Sequence, residues 1–264
     1  FTEFERFDRH IDRLSRDGHS LDFISICSPN YLHDSHIRFA LRSGANAVCE
    51  KPLVLNPWNL ETLQNLERET GKKIHTILQL RLHPTIMRLR EKVLSTATNK
   101  KFDVDLTYIT ARGNWYMQSW KGDEKKSGGI ASNIGVHFFD MLSFIFGKVK
   151  ENFVHVKTDS CASGYLEFER ARVRWFLSID YKNVPHEARL AGKRTFRSIT
   201  LNGEELEFSD GFTDLHTESY RHILSGAGFG VEDNFAAVSI VSKIRATKVC
   251  TKGDKHPLTI GLDY

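Results

Sequence analysis

Two side chains able to move a proton stand out in the 264-residue sequence, Lys51 and His137. Lys51 belongs to the tripeptide Glu50-Lys51-Pro52, and His137 belongs to a long apolar segment that begins near Asn133. Oxidation of a secondary alcohol needs a base for the hydroxyl proton, and histidine suits that task near neutral pH. A lysine ammonium can stabilise the developing alkoxide, or can itself be the base when burial lowers its pKa. The two residues therefore have the chemistry that such acid–base catalysis requires.

Both candidates also have purely structural interpretations. His137 stands among Val136, Phe138 and Phe139, so it could be a satisfied histidine on a packed helix face. Lys51 could be a solvated lysine in a turn. The choice depends on whether the fold brings the two side chains to one cleft, and the elements around them therefore matter.

Strands and helices alternate over the first third of the chain. Apolar runs at 21–27, 45–49 and 72–80 read as buried strands, and helical spacing is seen at 8–16, 31–43 and from Pro57 to Gly71. Such alternation predicts parallel βαβ units. Lys51 then follows the carboxyl end of a strand, where open α/β sheets bind their ligands, and Pro52 favours extended backbone at Lys51.

The pattern changes near residue 84. After a helix at 85–95, strand-like runs follow at 102–112, 152–157, 165–168, 173–180 and 198–201, and helices are predicted at 133–146, 214–225 and 232–249. Asn202-Gly203 is a hairpin signal. We predict an α/β protein: an incomplete Rossmann-like parallel sheet over residues 1–82, followed by an α+β domain with a large, mostly antiparallel sheet over 83–264.

Composition excludes several classes of function. The chain is 40% hydrophobic and 27% charged with a net charge of +4, which is too little asymmetry to predict nucleic-acid binding. It has neither an uninterrupted apolar run of membrane-spanning length nor a secretory start, so we expect a cytoplasmic protein. Its four cysteines form no Cys-x-x-Cys pair, so we expect them to be reduced and predict no metal site.

Three segments in this order resemble the glucose-fructose oxidoreductase and inositol dehydrogenase (Gfo/Idh/MocA) superfamily of nicotinamide-dependent sugar dehydrogenases. They are Ser28-Pro29-Asn30 with His33, then Glu50-Lys51-Pro52, then residues 127–140. Residues 107–116, 119–123 and 212–217 are similar to the branch that oxidises C3 of a UDP-linked N-acetylglucosaminuronic acid for lipopolysaccharide biosynthesis. The resemblance covers nearly the whole chain.

The resemblance implies roles for individual residues. Lys51 and His137 would be catalytic. NAD would be bound by Ser28, Pro29, Asn30, His33, Glu50, Gln79, Trp120 and Lys121. The substrate would contact Lys51, Arg112, Asn114, Asn133 and His137. For His33 a plain helix-surface position is an equal alternative. Arg112 and Lys121 are the cations expected near a uronate carboxylate or the diphosphate, because arginine grips such groups with two parallel hydrogen bonds.

The sequence departs from the family pattern at two places. Many relatives carry aspartate four residues before the histidine, where this chain has Asn133, which could orient the imidazole without supplying charge. Asp140 could compensate, or could cap a neighbouring backbone segment. No Gly-x-Gly-x-x-Gly turn follows a strand, and by resemblance we expect roughly fifty residues, about two βα units, upstream of Phe1.

We therefore expect NAD-dependent oxidation of a nucleotide sugar by a homotetramer joined through the second-domain sheets, with 2-oxoglutarate as a possible hydride acceptor. The alternatives are a dehydrogenase for another sugar or a cyclitol, and a non-enzymatic dinucleotide-binding regulator. Arg81 is expected to pair with a carboxylate across the domain boundary.

Overall fold

The computed structural model describes residues 1–97, 100–206 and 214–260. The strands in these ranges are β1 Phe23–Ile26, β2 Asn46–Cys49, β3 Ile74–Thr76, β4 Phe102–Thr110, β5 Val149–Lys157, β6 Cys161–Phe168, β7 Ala171–Ser178, β8 Thr195–Leu201 and β9 Glu204–Glu205. The α-helices are α1 Phe4–Arg16, α2 His33–Arg42, α3 Pro57–Thr70, α4 Pro84–Ser95, α5 Asn114–Gln118, α6 Glu124–Ser127, α7 Val136–Phe146, α8 His186–Leu190, α9 Leu215–Leu224, α10 Phe235–Ala246 and α11 Pro257–Ile260.

The smaller sheet is parallel, as predicted, with the order β1-β2-β3. Its helices begin and end at residues that the sequence marks. α3 has Pro57 in its first turn, where a missing N–H costs nothing, and stops at Gly71 in the left-handed conformation with φ 66°. The third strand is shorter than predicted: it covers only Ile74–Thr76, and the chain then forms a 3-10 turn at Gln79–Leu82.

The larger sheet has the order β5-β6-β7-β4-β8-β9. The β4–β7 pairing is parallel and the other four pairings are antiparallel, so the prediction of a mostly antiparallel sheet is confirmed. Asn202 and Gly203 turn the chain between β8 and β9 with φ values of 53° and 85°, as the hairpin signal predicted. The parallel β4–β7 pairing puts the carboxyl ends of both strands at one edge of the sheet.

Two apolar cores support the two sheets. Residues of β1 to β3 and their helices form the smaller core, and α7 packs with α4 and α10 on the larger sheet to form the second. α10 belongs to both cores, because Val238 lies in the first while Val241 lies in the second. The α10 helix thus ties the parallel sheet to the larger one.

The helix that carries His137 is interrupted near its start. A π-helical turn, Ala131–Gly135, precedes α7, whereas the sequence predicted one regular helix from Asn133. The stretch Glu124–Phe146 is long and apolar enough to cross a membrane by length and composition. However, 72% of its apolar 18-residue window is buried inside the protein. Its apolar residues are largely accounted for by core packing.

Candidate functional site

The loops after β1 and β2 lie side by side. Ile26 is paired with Cys49, and the Glu50 N–H donates to the Ile26 carbonyl over 3.0 Å. His33 joins the loops further on: its Nδ1 lies 2.7 Å from the Pro52 carbonyl oxygen and its Nε2 lies 2.8 Å from the Ser28 carbonyl oxygen. The His33 ring has no exposed surface, and burial lowers its pKa.

His33 was expected to contact the cofactor, with an exposed helix position as the alternative. The exposed position is wrong, because the ring is fully buried and both nitrogens face main-chain carbonyls, whereas the cofactor contact stays a prediction. A histidine so placed fixes the distance between the Ser28 and Pro52 loops. Lys51 is thereby positioned by backbone that a buried imidazole holds from behind.

The other strand-end residues differ in whether their side chains already have hydrogen-bond partners. The Ser28 hydroxyl lies 2.9 Å from Nδ1 of His36, and the Asn30 side chain donates to the Ser127 carbonyl over 2.9 Å. Gln79 opens the 3-10 turn after β3, and its Oε1 is buried with no hydrogen-bond partner in the described part of the chain. An unpaired amide oxygen at the end of a parallel sheet is available to a bound ligand.

Lys51 reaches from the smaller sheet toward the helix that carries His137. Its Nζ lies 3.5 Å from the Asn133 main-chain oxygen, and the Lys51–Pro52 peptide bond is cis. Burial lowers the pKa of Lys51, and the charges of Lys121 and Arg112 lower it further against the opposing effect of Glu50. Lys51 is therefore a cation in a positively charged, poorly hydrated setting, which is the setting that eases proton release.

His137 lies on the first turn of α7 beside two aromatic rings. The centroid of its ring is 4.3 Å from Phe138 and 6.1 Å from Tyr108, and its Nδ1 is buried without a hydrogen-bond partner among the described residues. Burial lowers the pKa of His137 well below 6.5, and the charges of Lys51 and Arg197 lower it further. The imidazole is thus neutral at neutral pH, and Lys51 lies within its electrostatic range.

Asn133 does not orient His137. Its amide donates to the Tyr116 hydroxyl over 2.6 Å, and that tyrosine is almost fully buried. The expectation assumed a regular helix, in which residues four apart lie one above the other. Asn133 lies in the π turn, where hydrogen bonds connect residues five apart and that stacking is lost.

Among the described residues, Asp140 neither contacts His137 nor caps a backbone segment. Its carboxylate receives two hydrogen bonds from Arg81, over 3.0 and 2.7 Å, which confirms the predicted ion pair of Arg81 across the boundary. The carboxylate is therefore occupied by Arg81.

The remaining predicted substrate residues lie around the loop after β4. Arg112 and Asn114 are exposed, and the Lys121 ammonium lies 5.3 Å from the Trp115 ring and 5.6 Å from the Trp120 ring. Since the charges of Arg112 and Lys121 both lower the pKa of Lys51, the three cations share one region. That region suits an anionic ligand with an aromatic surface beside it.

Two residues of this region were given no role from the sequence. Arg197 is paired with Tyr108 across β4 and β8, and its guanidinium lies 5.6 Å from that ring. His216, at the start of α9, places its Nε2 3.4 Å from the Glu50 carboxylate. For Arg197 the sequence signal was the period-two alternation of β4 and β8, which does not specify their register, and for His216 it was the resemblance of residues 212–217.

Comparison with known proteins gives this geometry a family. Residues 2–77 match the model described as "Oxidoreductase family, NAD-binding Rossmann fold", and residues 100–256 match its "C-terminal alpha/beta domain". The chain belongs to the Gfo/Idh/MocA oxidoreductase family. One match covers the parallel sheet and the loop that carries Lys51, and the other covers the larger sheet and the helix that carries His137.

Among solved structures of the Gfo/Idh/MocA family, two of the WlbA (WbpB) dehydrogenase from Thermus thermophilus are similar along most of this chain. Both are 49% identical, covering 97% of this chain and 83% of that one. The complex with NAD and alpha-ketoglutarate has a TM-score of 0.93, and the complex with NAD and UDP-GlcNAcA has 0.92. A Bordetella pertussis WlbA structure at 16% identity, 89% and 78% coverage and TM-score 0.71 shares the fold.

Two curated relatives match over shorter stretches. D-glucoside 3-dehydrogenase of Escherichia coli is 27% identical over 48% of this chain, and inositol 2-dehydrogenase of Rhizobium meliloti is 26% identical over 48%. The aligned part covers 36% and 37% of the length of these two relatives, so this chain spans well under half of either one in these matches.

Proposed function

We propose that this protein is an NAD-dependent dehydrogenase that oxidises the C3 hydroxyl of a UDP-linked N-acetylglucosaminuronic acid to the 3-keto sugar, in O-antigen and lipopolysaccharide sugar biosynthesis. The observation that carries the proposal is the 49% identity over 97% of this chain to a dehydrogenase crystallised with NAD and UDP-GlcNAcA. The grouping of Lys51 and His137 supports it chemically, because an alcohol dehydrogenase needs both a hydrogen-bond donor and a base.

The nicotinamide half of NAD fits the residues present. The unpaired Gln79 Oε1 can accept from a carboxamide, and Ser28, Pro29, Asn30 and Glu50 form the rim of the same strand ends. Trp120 and Lys121 would close the site from the larger domain. When bound, the nicotinamide accepts the hydride that leaves C3.

In the proposed reaction, His137 is the base and Lys51 is the hydrogen-bond donor. His137 must be neutral to take the C3 hydroxyl proton, and burial together with the charge of Lys51 keeps it neutral. The Lys51 ammonium donates to the same oxygen and stabilises its negative charge as the C3–H bond breaks. The proton then resides on the imidazole, and the former hydroxyl carbon becomes a ketone.

The anionic part of the substrate would face Arg112 and Lys121, with Asn114 as a neutral donor beside them. Arg112 has an exposed side chain with no ion pair among the described residues, so it is free to bind a carboxylate or phosphate in two-pronged fashion. The Asn133 amide nitrogen is bound to Tyr116 and its main-chain oxygen lies beside Lys51, so Asn133 would contact the substrate through its side-chain oxygen. This grouping favours a uronate over a neutral sugar.

The proposal extends to the setting in which the enzyme works. 2-oxoglutarate would take the hydride back from the reduced cofactor, a role suggested by the Thermus thermophilus complex with alpha-ketoglutarate. The protein would be a cytoplasmic homotetramer joined through the larger sheets, with domains at 1–82 and 83–264. Most residues of each apolar core come from one of these two segments, with α10 contributing to both cores, which supports that division.

The test is turnover by the protein expressed from its complete reading frame. UDP-GlcNAcA is incubated with NAD, with and without 2-oxoglutarate, and the product is analysed by mass spectrometry for loss of two hydrogens at C3. UDP-GlcNAc, which lacks the carboxylate, and myo-inositol are the matched alternatives. We expect oxidation of UDP-GlcNAcA only, with multiple turnovers only when 2-oxoglutarate is present.

Two results would contradict the proposal. Oxidation of myo-inositol or a simple glucoside in preference to UDP-GlcNAcA would assign the site to another sugar or cyclitol. Binding of NAD by the folded protein without oxidation of any of these substrates would instead favour a non-enzymatic regulator.

A further inference from the structure

Arg81 occupies a buried position between three elements, away from the groups assigned to the reaction. Its side chain is 8% exposed and is held by two carboxylates. Asp140 of α7 accepts from Nε and from one terminal nitrogen, and Asp233, just before α10, accepts from the other terminal nitrogen over 2.6 Å. The Asp233 carbonyl accepts a fourth hydrogen bond over 2.8 Å. Every arm of the guanidinium is therefore engaged.

The segment around Asp233 is itself fixed to the smaller sheet. The Thr76 N–H, at the end of β3, donates to the Phe229 carbonyl over 2.8 Å, and the Asn234 amide donates to the Thr76 hydroxyl over 2.9 Å. Arg81 follows the same strand by five residues. The end of β3, the 229–234 segment and α7 therefore meet at one guanidinium, which also lies 5.0 Å from the Phe229 ring.

This joint, formed by Arg81, Asp140 and Asp233, lies close along α7 to His137, the proposed base. Asp140 follows His137 by three residues, less than one helical turn, and its side chain is 2% exposed. Burial raises the pKa of Asp140, while Arg81 holds the carboxylate in its charged form against that effect. Protonation of Asp140 would remove the ion pair. The rigidity of the joint therefore depends on the negative charge that Arg81 stabilises on this carboxylate.

We propose that Arg81 is a positioning residue for the dehydrogenase: by clamping Asp140 and Asp233 it fixes the helix that carries His137 against the sheet that carries Lys51. The inference rests on the proposed function. Lys51 lies on the loop after β2 and His137 lies on α7, and both must act on one carbon, so the joint between these elements sets the catalytic distance. A displacement on the order of 1 Å between such groups can cost about a hundredfold in rate.

The test compares Asp140→Asn, Arg81→Lys and a matched control, Arg90→Met. Asp140→Asn keeps size and one acceptor, and Arg81→Lys keeps charge without the two-pronged geometry. Arg90 also contacts α7, donating to the Phe144 carbonyl over 3.0 Å, but it takes no part in the joint. Circular dichroism first shows that each variant is folded. Each is then assayed for kcat and KM with NAD, UDP-GlcNAcA and 2-oxoglutarate, and for amide hydrogen exchange of residues 136–146.

We expect Asp140→Asn and Arg81→Lys to lower kcat about ten- to a hundredfold with KM changed less than threefold, and to speed exchange along α7. Arg90→Met should stay within about twofold of wild-type kcat. Wild-type kcat in folded Asp140→Asn would overturn the inference, even if its melting temperature fell. A wild-type protein without turnover would refute the proposed function alone. Unchanged exchange in Asp140→Asn would then refute the joint separately.

Discussion

The two halves of the candidate site are held in opposite ways. Lys51 stands on a loop that main-chain bonds and the buried His33 fix from within a stretch of about twenty residues. His137 stands on a helix whose surroundings come from distant parts of the chain, including Tyr108, Arg197 and, through Asp140, Arg81. The Lys51 half of the site is thus local, built from residues close in sequence, whereas the His137 half is assembled from residues far apart in sequence.

This difference explains why the two halves respond differently to sequence change. Substitution of a few neighbouring residues should disrupt the local half, whereas substitutions in several distant elements should each alter the assembled half. Four changes test the comparison, beginning with the largest expected effect.

Removal of the imidazole should cause the largest loss. We expect His137→Gln to lower kcat about 10³-fold, because a positioned general base contributes on the order of 10² to 10⁴. The acid limb of the pH–rate profile should also vanish. In the wild type that limb reports protonation of His137, whose lowered pKa predicts full activity down to well below pH 6.5 and loss as pH falls further.

Steady-state kinetics between pH 4.5 and pH 9 would check this, with His10→Gln on the distant α1 helix as the control. An acid limb that persists unchanged in His137→Gln would assign the proton to another group, with Lys51 the first candidate.

The local half should break through stability rather than chemistry. His33→Phe removes the ring nitrogens that face the buried Ser28 and Pro52 carbonyls. A neutral imidazole donates to only one of them, so we expect a loss of about 2 kcal/mol in the free energy of unfolding. Urea denaturation monitored by fluorescence measures it, and His19→Phe, at an exposed histidine, is the control. A large loss of NAD affinity with unchanged stability would instead support direct cofactor contact by His33.

Substrate charge should be read by Arg112. Arg112→Gln is expected to raise KM for UDP-GlcNAcA about tenfold, since one charge-assisted pair at an exposed site is lost, and to change little the inhibition constant of UDP-GlcNAc as a competitive inhibitor. Initial rates over a range of both nucleotide sugars decide the matter. Equal effects on the two nucleotide sugars would move Arg112 from the carboxylate to the diphosphate.

The smallest expected effect is a shift in pH. Asn133→Asp adds a negative charge to the residue whose main-chain oxygen lies 3.5 Å from Lys51 Nζ, so by electrostatic attraction it should raise the pKa of Lys51 and, more weakly, that of His137. Activity should then be lost at a higher pH on the acid side, with kcat at pH 8 within a few fold of wild type. Tyr116→Phe, which removes only the hydrogen bond to Asn133, is the matched variant. A shift toward lower pH in Asn133→Asp would contradict the electrostatic assignment.

The same contrast sets what the sequence could predict. The parallel strands, the turn glycines, the position of Lys51 and the Asn202-Gly203 hairpin depend on neighbouring residues, and these predictions were confirmed. The Arg81 ion pair was also predicted, but its partner Asp140 was assigned elsewhere. Phe212 and Thr213, part of the branch resemblance, lie outside the described residues.

What the sequence could not supply was long-range register and one local irregularity. Nothing in the residues near Arg197 indicates that β8 pairs with β4 so as to place it opposite Tyr108. The π turn at Ala131–Gly135 adds a wider hydrogen-bonded turn to an otherwise regular apolar pattern, and it moves Asn133 away from His137 toward Tyr116. The error at Asn133 follows from that turn.

The central claim is that one cleft presents an ammonium and an imidazole to the same carbon, and a crystal structure of the protein with NAD and UDP-GlcNAcA tests it most directly. We expect Lys51 Nζ and a His137 ring nitrogen both within about 3.2 Å of the C3 oxygen. A C3 oxygen that contacts neither side chain, or only one of them while the other faces away, would contradict it.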